Sequence, residues 1–277
     1  MKILLIADVH NRPLVSAYAR NKTLKGLKKV IAKTPCDLIV FLGDIVHGPD
    51  FKQVKYDYSL YLRQVLDITG DIPFATVFGN HDDECDVSKN EILDIIKSYP
   101  NALTKDKNYV LNVDGETLLF IDSGSYYVGE GSYYDTVKQP VIDRALHEIK
   151  GKKAILFQHI IFPDIFDVID EYRHFRPFCI FGCKKWLKFK NGVKKTGVMF
   201  ERPCPPDINT GELKQLAPFL KGAVFGHDHV NTFELDLMGV RIIQCGGCGM
   251  NCYDKYFLSS VKLLDTETME TKRIKIF

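Results

Sequence analysis

Through the first eighty residues, short apolar runs closed by turn residues alternate with stretches of helical periodicity. Residues 2–7, 38–43 and 74–78 read as buried strands. Between the last two, Val54, Tyr58, Tyr61, Val65 and Ile68 recur at steps of four and three, the stripe of an amphipathic helix. Leu24, Leu27 and Ile31 give an earlier helix the same stripe. This β-α-β-α-β opening predicts parallel strands joined by right-handed crossovers. The pattern then changes. Residues 109–113 and 117–121 flank Asp114-Gly115, a hairpin turn signal. A helix is expected over 137–149 and a strand over 154–158. Short strands follow at 223–225, 232–237, 240–244, 256–264 and 269–276, mostly antiparallel by their connections. A parallel half joined to an antiparallel half makes an α/β fold of two mixed β-sheets with helices outside. No convincing linker interrupts the chain, which predicts a single domain over 1–277 with an insertion at about 164–210.

The polar residues fall where the apolar runs end. The first strand ends in Asp8-Val9-His10, the second in Gly43-Asp44, and the third in Gly79-Asn80-His81-Asp82. The strand at 154 ends in His159, and the strand at 223 ends in Gly226-His227-Asp228-His229. Ligand sites of α/β sheets lie beyond the carboxyl ends of their strands, so these five tips converge on one crevice. A single Asp or His at a strand end is commonly a turn former or cap. Five coincident ends bearing Asp, Asn and His are not explained by capping. Left without partners, such buried groups would each cost several kcal/mol, and cations are the economical explanation. Asp8, His10, Asp44, Asn80, His159, His227 and His229 are too many donors for one tetrahedral ion. They suit two ions sharing a carboxylate at roughly 3.5–4 Å separation. All are nitrogen or oxygen donors, which favours iron, manganese, zinc or nickel over copper(I). Glycines 43, 79 and 226 let the backbone turn sharply and approach the ions.

Composition narrows the class without naming the substrate. Hydrophobic residues are 45% and charged residues 26% of the 277, ordinary for a globular chain. A net charge of +2 gives no general reason to expect nucleic acid as partner. The apolar run at residues 3–7 stops at Asp8, too short for a signal-peptide core, and nothing approaches the roughly 18 apolar residues of a membrane span. The eight cysteines are dispersed, unlike those of a small secreted scaffold. Together these features predict a cytoplasmic protein with no membrane span. Cys245, Cys248 and Cys252 sit in a glycine-rich turn with no paired histidine downstream, and reduced structural thiols are expected there.

Asp8-x-His10, Gly43-Asp44, Gly79-Asn80-His81-Asp82, His159 and Gly226-His227-x-His229, in this order over residues 1 to about 260, resemble the motif set of the calcineurin-like metallophosphoesterases. The segments 78–84 and 226–231 further resemble the small purple-acid-phosphatase-like branch. The resemblance implies a four-layer α-β-β-α sandwich, the metallo-dependent phosphatase fold. It implies that Asp8, His10 and His229 hold one ion, that Asp44 bridges, and that Asn80, His159 and His227 hold the second. His81 would face the substrate phosphate as acid or electrostatic stabiliser, and a water or hydroxide on the metals would be the nucleophile. The reaction implied is hydrolysis of a phosphomonoester, with a phosphodiester or cyclic nucleotide as the alternative and a non-catalytic scaffold as the reading of another class. The substrate would be a phosphorylated small molecule or other phosphoester. One departure falls at His47, where purple acid phosphatases carry an iron-binding tyrosine; His47 is expected behind the ligands or in the turn.

The pocket walls are expected from 122–136, rich in Gly, Ser and Tyr, and from the insertion. Within the insertion, Lys184, Lys185, Lys188, Lys190, Lys194 and Lys195 interleave with Trp186 and Phe189 around Asn191-Gly192. Cations among stacking aromatics admit nucleic acid. A solvated hairpin is the plainer reading, and a partial cap that attracts anionic substrates is the functional one.

Overall fold

The computed structural model describes residues 1–127, 134–173, 185–250 and 259–277. Fourteen strands are defined among them: β1 (Lys2–Ile6), β2 (Leu38–Leu42), β3 (Phe74–Val77), β4 (Tyr109–Val113), β5 (Glu116–Ile121), β6 (Ala154–Gln158), β7 (Ile169–Arg173), β8 (Lys185–Phe189), β9 (Lys195–Thr196), β10 (Leu220–Phe225), β11 (Glu234–Leu237), β12 (Val240–Gln244), β13 (Ser260–Asp265) and β14 (Thr271–Lys275). One sheet runs β14-β13-β1-β2-β3 and the other β4-β5-β6-β10-β12-β11-β9. Both are mixed. In the first, β1, β2 and β3 are parallel while β13 and β14 join antiparallel. In the second, β5, β6, β10 and β12 are parallel, edged by antiparallel β4, β11 and β9.

Alternation along the strands creates three cores. Ile3, Leu5, Val40, Leu42 and Val77 of the first sheet face Leu118, Phe120, Ile155, Phe157, Val224 and Ile243 of the second. The opposite side of the first sheet, with Leu4, Ile6, Ile39 and Phe41, packs on Leu27, Ile31, Leu62, Val65, Ile92 and Ile96. Those residues come from α1 (Ala17–Lys33), α3 (Tyr58–Leu66), which follows the short α2 (Pro49–Gln53), and α4 (Lys89–Lys97). The outer side of the second sheet packs Leu156, Ala223, Phe225 and Ile242 against α5 (Gln139–Ile149) and α6 (Glu212–Leu216). Helix, sheet, sheet, helix is therefore the layer order, as the resemblance implies.

Three expectations need correction. The helix predicted from Val54 is split: Val54 is extended (φ −135°) after α2, and α3 starts only where the Asp57 side chain accepts the Ser59 N–H at 2.9 Å. The late strands are mostly antiparallel, as β11, β13 and β14 show, and the expectation needs correction only at β10, which pairs in parallel with both β6 and β12. Its sequence neighbour β11 hairpins onto the far side of β12 through Met238-Gly239, both at positive φ. Finally, Asn191-Gly192 turns the chain but joins no paired strands. Before it, β8 pairs with β7; after it, β9 pairs with β11, so the turn hands the chain from one sheet to another. The hydrophobic anchor explains this, since Phe189 is buried edge-on against Phe233 on the second sheet (5.3 Å between ring centres). Lys184, Cys179, Cys183 and Cys252, and the side chains of Lys185 and Trp186, lie outside the described residues. Among the described residues, no helix is long and apolar enough to cross a membrane.

Candidate metal centre

The five predicted strand ends meet. Four of their side chains hang on backbone in the left-handed region that non-glycine residues rarely adopt: Asp8 (φ 52°), His10 (φ 44°), Asp44 (φ 49°) and His227 (φ 73°). Each such conformation costs on the order of 1 kcal/mol and persists only where the surroundings over-determine it. Here cross-strand bonds supply that constraint. His10 N–H donates to the Asp44 carbonyl at 3.0 Å, Asn11 N–H to the Ile45 carbonyl at 3.0 Å, and Gly226 N–H to the His159 carbonyl at 3.0 Å. The Asp8 carboxylate accepts the His227 N–H (3.0 Å), and Asp44 Oδ1 accepts the His81 N–H (2.9 Å). Of the three glycines, Gly43 alone takes a positive φ (87°). Gly79 is needed for room: a Cβ there would stand 2.1 Å from Asp44 Oδ1. Gly226 also serves by close approach, its Cβ position lying 3.0 Å from Asp8 Oδ2.

The donors form two trios. Asp8, His10 and His229 make one, and Asp44, His159 and His227 the other, with the donor atoms of each trio within 4.8 Å of one another. In the first, His10 Nε2 is 3.1 Å from His229 Nε2, and His229 Nε2 is 3.5 Å from Asp8 Oδ1. Asp44 joins the trios, its Oδ2 lying 3.2 Å from His159 Nε2 and 3.5 Å from His10 Nε2. His159 Nδ1–H donates to the Leu42 carbonyl at 2.6 Å, which turns the Nε2 lone pair toward Asp44. Asn80 brings an amide in place of the carboxylates and imidazoles that make up the trios. Its amide nitrogen faces the Tyr126 hydroxyl at 3.5 Å, its carbonyl accepts the Ser125 hydroxyl, and its Oδ1 is buried with no partner among the described residues. The His159 Nε2 atom is likewise buried without a hydrogen bond. Buried donors and acceptors are rarely left so, and a nitrogen/oxygen set of this kind fits divalent or trivalent transition ions.

The electrostatics keep lone pairs available on His10 and His227 and a charge on Asp44. Burial holds His10 and His227 well below the ordinary imidazole range, so both are neutral. Burial alone would push Asp44 up; the surrounding imidazoles, His159 first, reverse that and hold it well below the usual carboxylate value. For His159, burial opposes charge, but the adjacent Asp44 raises its pKa to about 9. An ion on Nε2 would take the place of that proton.

Other residues surround the donors. His81 is bonded to Glu84, and its ring centre is 5.2 Å from that of His10. His47 lies 4.6 Å from His81, centre to centre, while its Nδ1 is 3.1 Å from His10 Nδ1. Sequence reasoning passed over Asp82, Asp228, Tyr126 and Tyr134. Asp82 accepts from the Gly79 and Asp44 N–H groups and binds the third tip to the second; burial, with Asp44 beside it, pushes it up to about 7. Asp228 accepts from Cys204 N–H and Asn231 Nδ2, anchoring the turn that carries His227 and His229. Both aspartates stand inside the motifs and were legible there as polar residues beside ligands. Tyr126 and Tyr134 stack together (5.4 Å), with Tyr134 edge-on to His227 (4.6 Å), so these two tyrosines of the expected 122–136 wall reach the centre. Cys245 and Cys248 are buried, and burial pushes the Cys245 thiol up to about 12. Their turn braces the site through its backbone: Cys248 N–H donates to Ala7 O (3.1 Å) and Gly247 N–H to His229 O (2.9 Å).

Known proteins resemble this chain in sequence and in fold. The family model described as calcineurin-like phosphoesterase matches residues 1–231. A relative from Arabidopsis thaliana named probable inactive purple acid phosphatase 14 is 28% identical over 91% of this chain and 71% of its own length. The Saccharomyces cerevisiae phosphatase DCR2 is 23% identical over 91% of this chain and 44% of its own. A solved dimetal phosphatase from Danio rerio superposes with a TM-score of 0.56 at 13% identity, covering 100% of this chain and 99% of that one, a likeness of fold. The family model spans all five motif-bearing strand ends, and the chain belongs to the calcineurin-like phosphoesterase family.

Proposed function

We propose that this chain hydrolyses phosphoesters with two metal ions held at the crevice, phosphomonoesters being favoured. The observation that carries the reading is Asp44 Oδ2, within 3.5 Å of a histidine of each trio and therefore positioned between two sets of ligands. Asp8, His10 and His229 would hold one ion, and Asn80, His159 and His227 the other, with Asp44 shared. Iron, manganese and zinc all suit these donors. Bound there, the ions would activate a water and neutralise phosphate charge.

The chain's own residues do the rest. Asp44 stays ionised among the imidazoles and can serve both ions. His81 is oriented twice, by its N–H on Asp44 Oδ1 and by its ring on Glu84. Burial works against its charge, but the Glu84 hydrogen bond and the Asp44 and Glu84 charges raise its pKa. Protonated, it would give a proton to the leaving oxygen and a positive charge to the phosphate. Asn80 contributes its amide oxygen while Tyr126 steadies the amide nitrogen. A phosphodiesterase is the second reading, since the same donor set serves both ester classes. The word inactive in some relatives' names gives the third, a scaffold that holds metal without turnover.

Metal analysis followed by assays with p-nitrophenyl phosphate and its bis ester separates the three. Two equivalents of metal with faster cleavage of the monoester are expected. Metal without cleavage of either ester moves the chain to the scaffold. Asp44→Asn should lose at least about 10²-fold in kcat and lower the occupancy of both ions; near-normal turnover in a metal-replete sample sinks its role. His81→Ala should keep both metals and lose on the order of 10²-fold in rate. Loss of metal in that variant would make His81 a ligand.

A further inference from the structure

Gln158 is the last residue of β6 and, by the strand's alternation, turns toward the outer side of the second sheet. There a cavity of about 10 Å³ is lined by Ser123, Thr136, Gln158, Thr210 and Glu212, among others. That is room for one water or one bare ion. Glu212 is 5% exposed and Gln158 3%, and an oxygen of each (Oε1 in both) has no hydrogen-bond partner among the described residues. The same holds for Asp164 Oδ2, whose charge acts on Glu212. The Gln158 amide nitrogen is committed to the Ile160 carbonyl at 3.0 Å, which fixes the amide oxygen's direction. Among the described residues, no basic side chain lines the cavity.

We propose that this cavity binds one hard cation of calcium's class, held by Glu212 and the Gln158 amide oxygen with Asp164 supplying further negative charge. The donors are all oxygen, the preference of calcium and not of the nitrogen-liganded ions at the crevice. Magnesium demands near-ideal octahedral geometry, whereas calcium accepts an irregular set of carboxylate, amide and hydroxyl oxygens such as lines this cavity. Without a cation, burial pushes Glu212 up to about 8, opposed by the Gln158 side chain and aided by the Asp164 charge, so the pocket then carries a protonated acid. The cation would tie together the 122–136 wall, the strand end before His159 and the 206–212 segment. Thr210 already reaches across this junction, its hydroxyl donating to the Val137 carbonyl at 3.3 Å. The site is separate from the two metal trios and shares no residue with them.

Equilibrium dialysis of the metal-loaded protein against radioactive calcium tests this, alongside unfolding midpoints measured with and without calcium. One calcium equivalent is expected, with the midpoint rising by roughly 5 °C at about a hundredfold excess over Kd. Both effects should persist in Asp44→Asn and vanish in Glu212→Gln, which keeps the side chain's shape. Gln158→Met serves as the second variant if Glu212→Gln does not fold. No bound calcium in the unaltered protein overturns the proposal and leaves a protonated Glu212 beside a water. A calcium equivalent retained in Glu212→Gln, or lost only in Asp44→Asn, overturns it as well.

Discussion

The imidazole of His10 has two nitrogens, and both are engaged. Nε2 faces the crevice, 3.1 Å from His229 and 3.5 Å from Asp44, while Nδ1 is 3.1 Å from His47 Nδ1. If Nε2 is to bind an ion, Nδ1 must carry the proton, and His47 must accept it. His47 then has its own proton on Nε2, which lies 3.7 Å from Asp50, itself bound by Arg12 at 2.7 Å. Burial, with His81 and Arg12 nearby, brings the His47 pKa down to about 4, so the accepting neutral ring persists at neutral pH. His47→Ala should therefore weaken metal binding about 10–100-fold in a chelator competition, with His47→Gln restoring part of it through its acceptor oxygen. Equal affinities in all three proteins would reduce His47 to a turn residue. The seven candidate ligands were legible in the sequence because each ends a strand. The partner of His47 was not, because His10 lies 37 positions away and only the fold brings the rings together.

At the scale of elements, the tips of β1, β2 and β3 matter more than the strands behind them. Early strand positions were readable to within a residue or so, 2–7 being expected and Lys2–Ile6 found, and late ones less closely, β10 starting at Leu220 where 223 was expected. Pairing was less readable. Short apolar strands look alike in sequence, and nothing local says that β11 passes beyond β12 while β10 sits between β6 and β12. The tips are also tightly packed on each other. A methyl group at Gly79 would lie 2.1 Å from Asp44 Oδ1 and 2.6 Å from the Asp44 nitrogen, so either the third tip or the shared carboxylate must move. Gly79→Ala should accordingly lose metal from both trios while keeping the far-ultraviolet circular dichroism of the parent. Gly115→Ala is the control. That glycine sits at φ 79° in the β4–β5 turn with open space around it, so the change should lower stability by about 1 kcal/mol and leave metal content alone. Full metal in Gly79→Ala would mean that the tips tolerate a shift the packing forbids.

Taken whole, the molecule is two sheets face to face, and hydrophobic alternation predicts most of that interface. It does not predict a charge there. Lys262 pairs with Leu5 across β13 and β1, and Glu234 with Ile243 across β11 and β12, so the periodicity turns both charged side chains between the sheets. Lys262 is 3% and Glu234 7% exposed, and their 2.6 Å ion pair joins one sheet to the other. Lys262 also donates to the Thr232 carbonyl (3.1 Å), and Glu234 accepts from Arg241 (3.0 Å) and from Thr271. This network closes one side of a cleft of about 460 Å³ between the sheet edges. Burial alone would raise the Glu234 pKa, but Lys262 first and then Thr271 and Arg241 hold it below its ordinary value of 4.5. A depressed carboxylate stabilises the fold above its unfolded pKa, and that contribution is lost as pH falls through the folded one. Glu234→Gln leaves the Lys262 ammonium buried without its counter-charge, which should cost about 3–5 kcal/mol in urea unfolding at pH 7. In acid, below 4.5 and falling through the depressed folded value, the parent should lose this contribution and the gap between the two proteins should narrow. Replacing both partners, with Lys262→Met and Glu234→Leu, should recover most of the loss because no uncompensated charge remains. If Glu234→Gln unfolds at the parent's urea midpoint at pH 7, the ion pair does not hold the two sheets together.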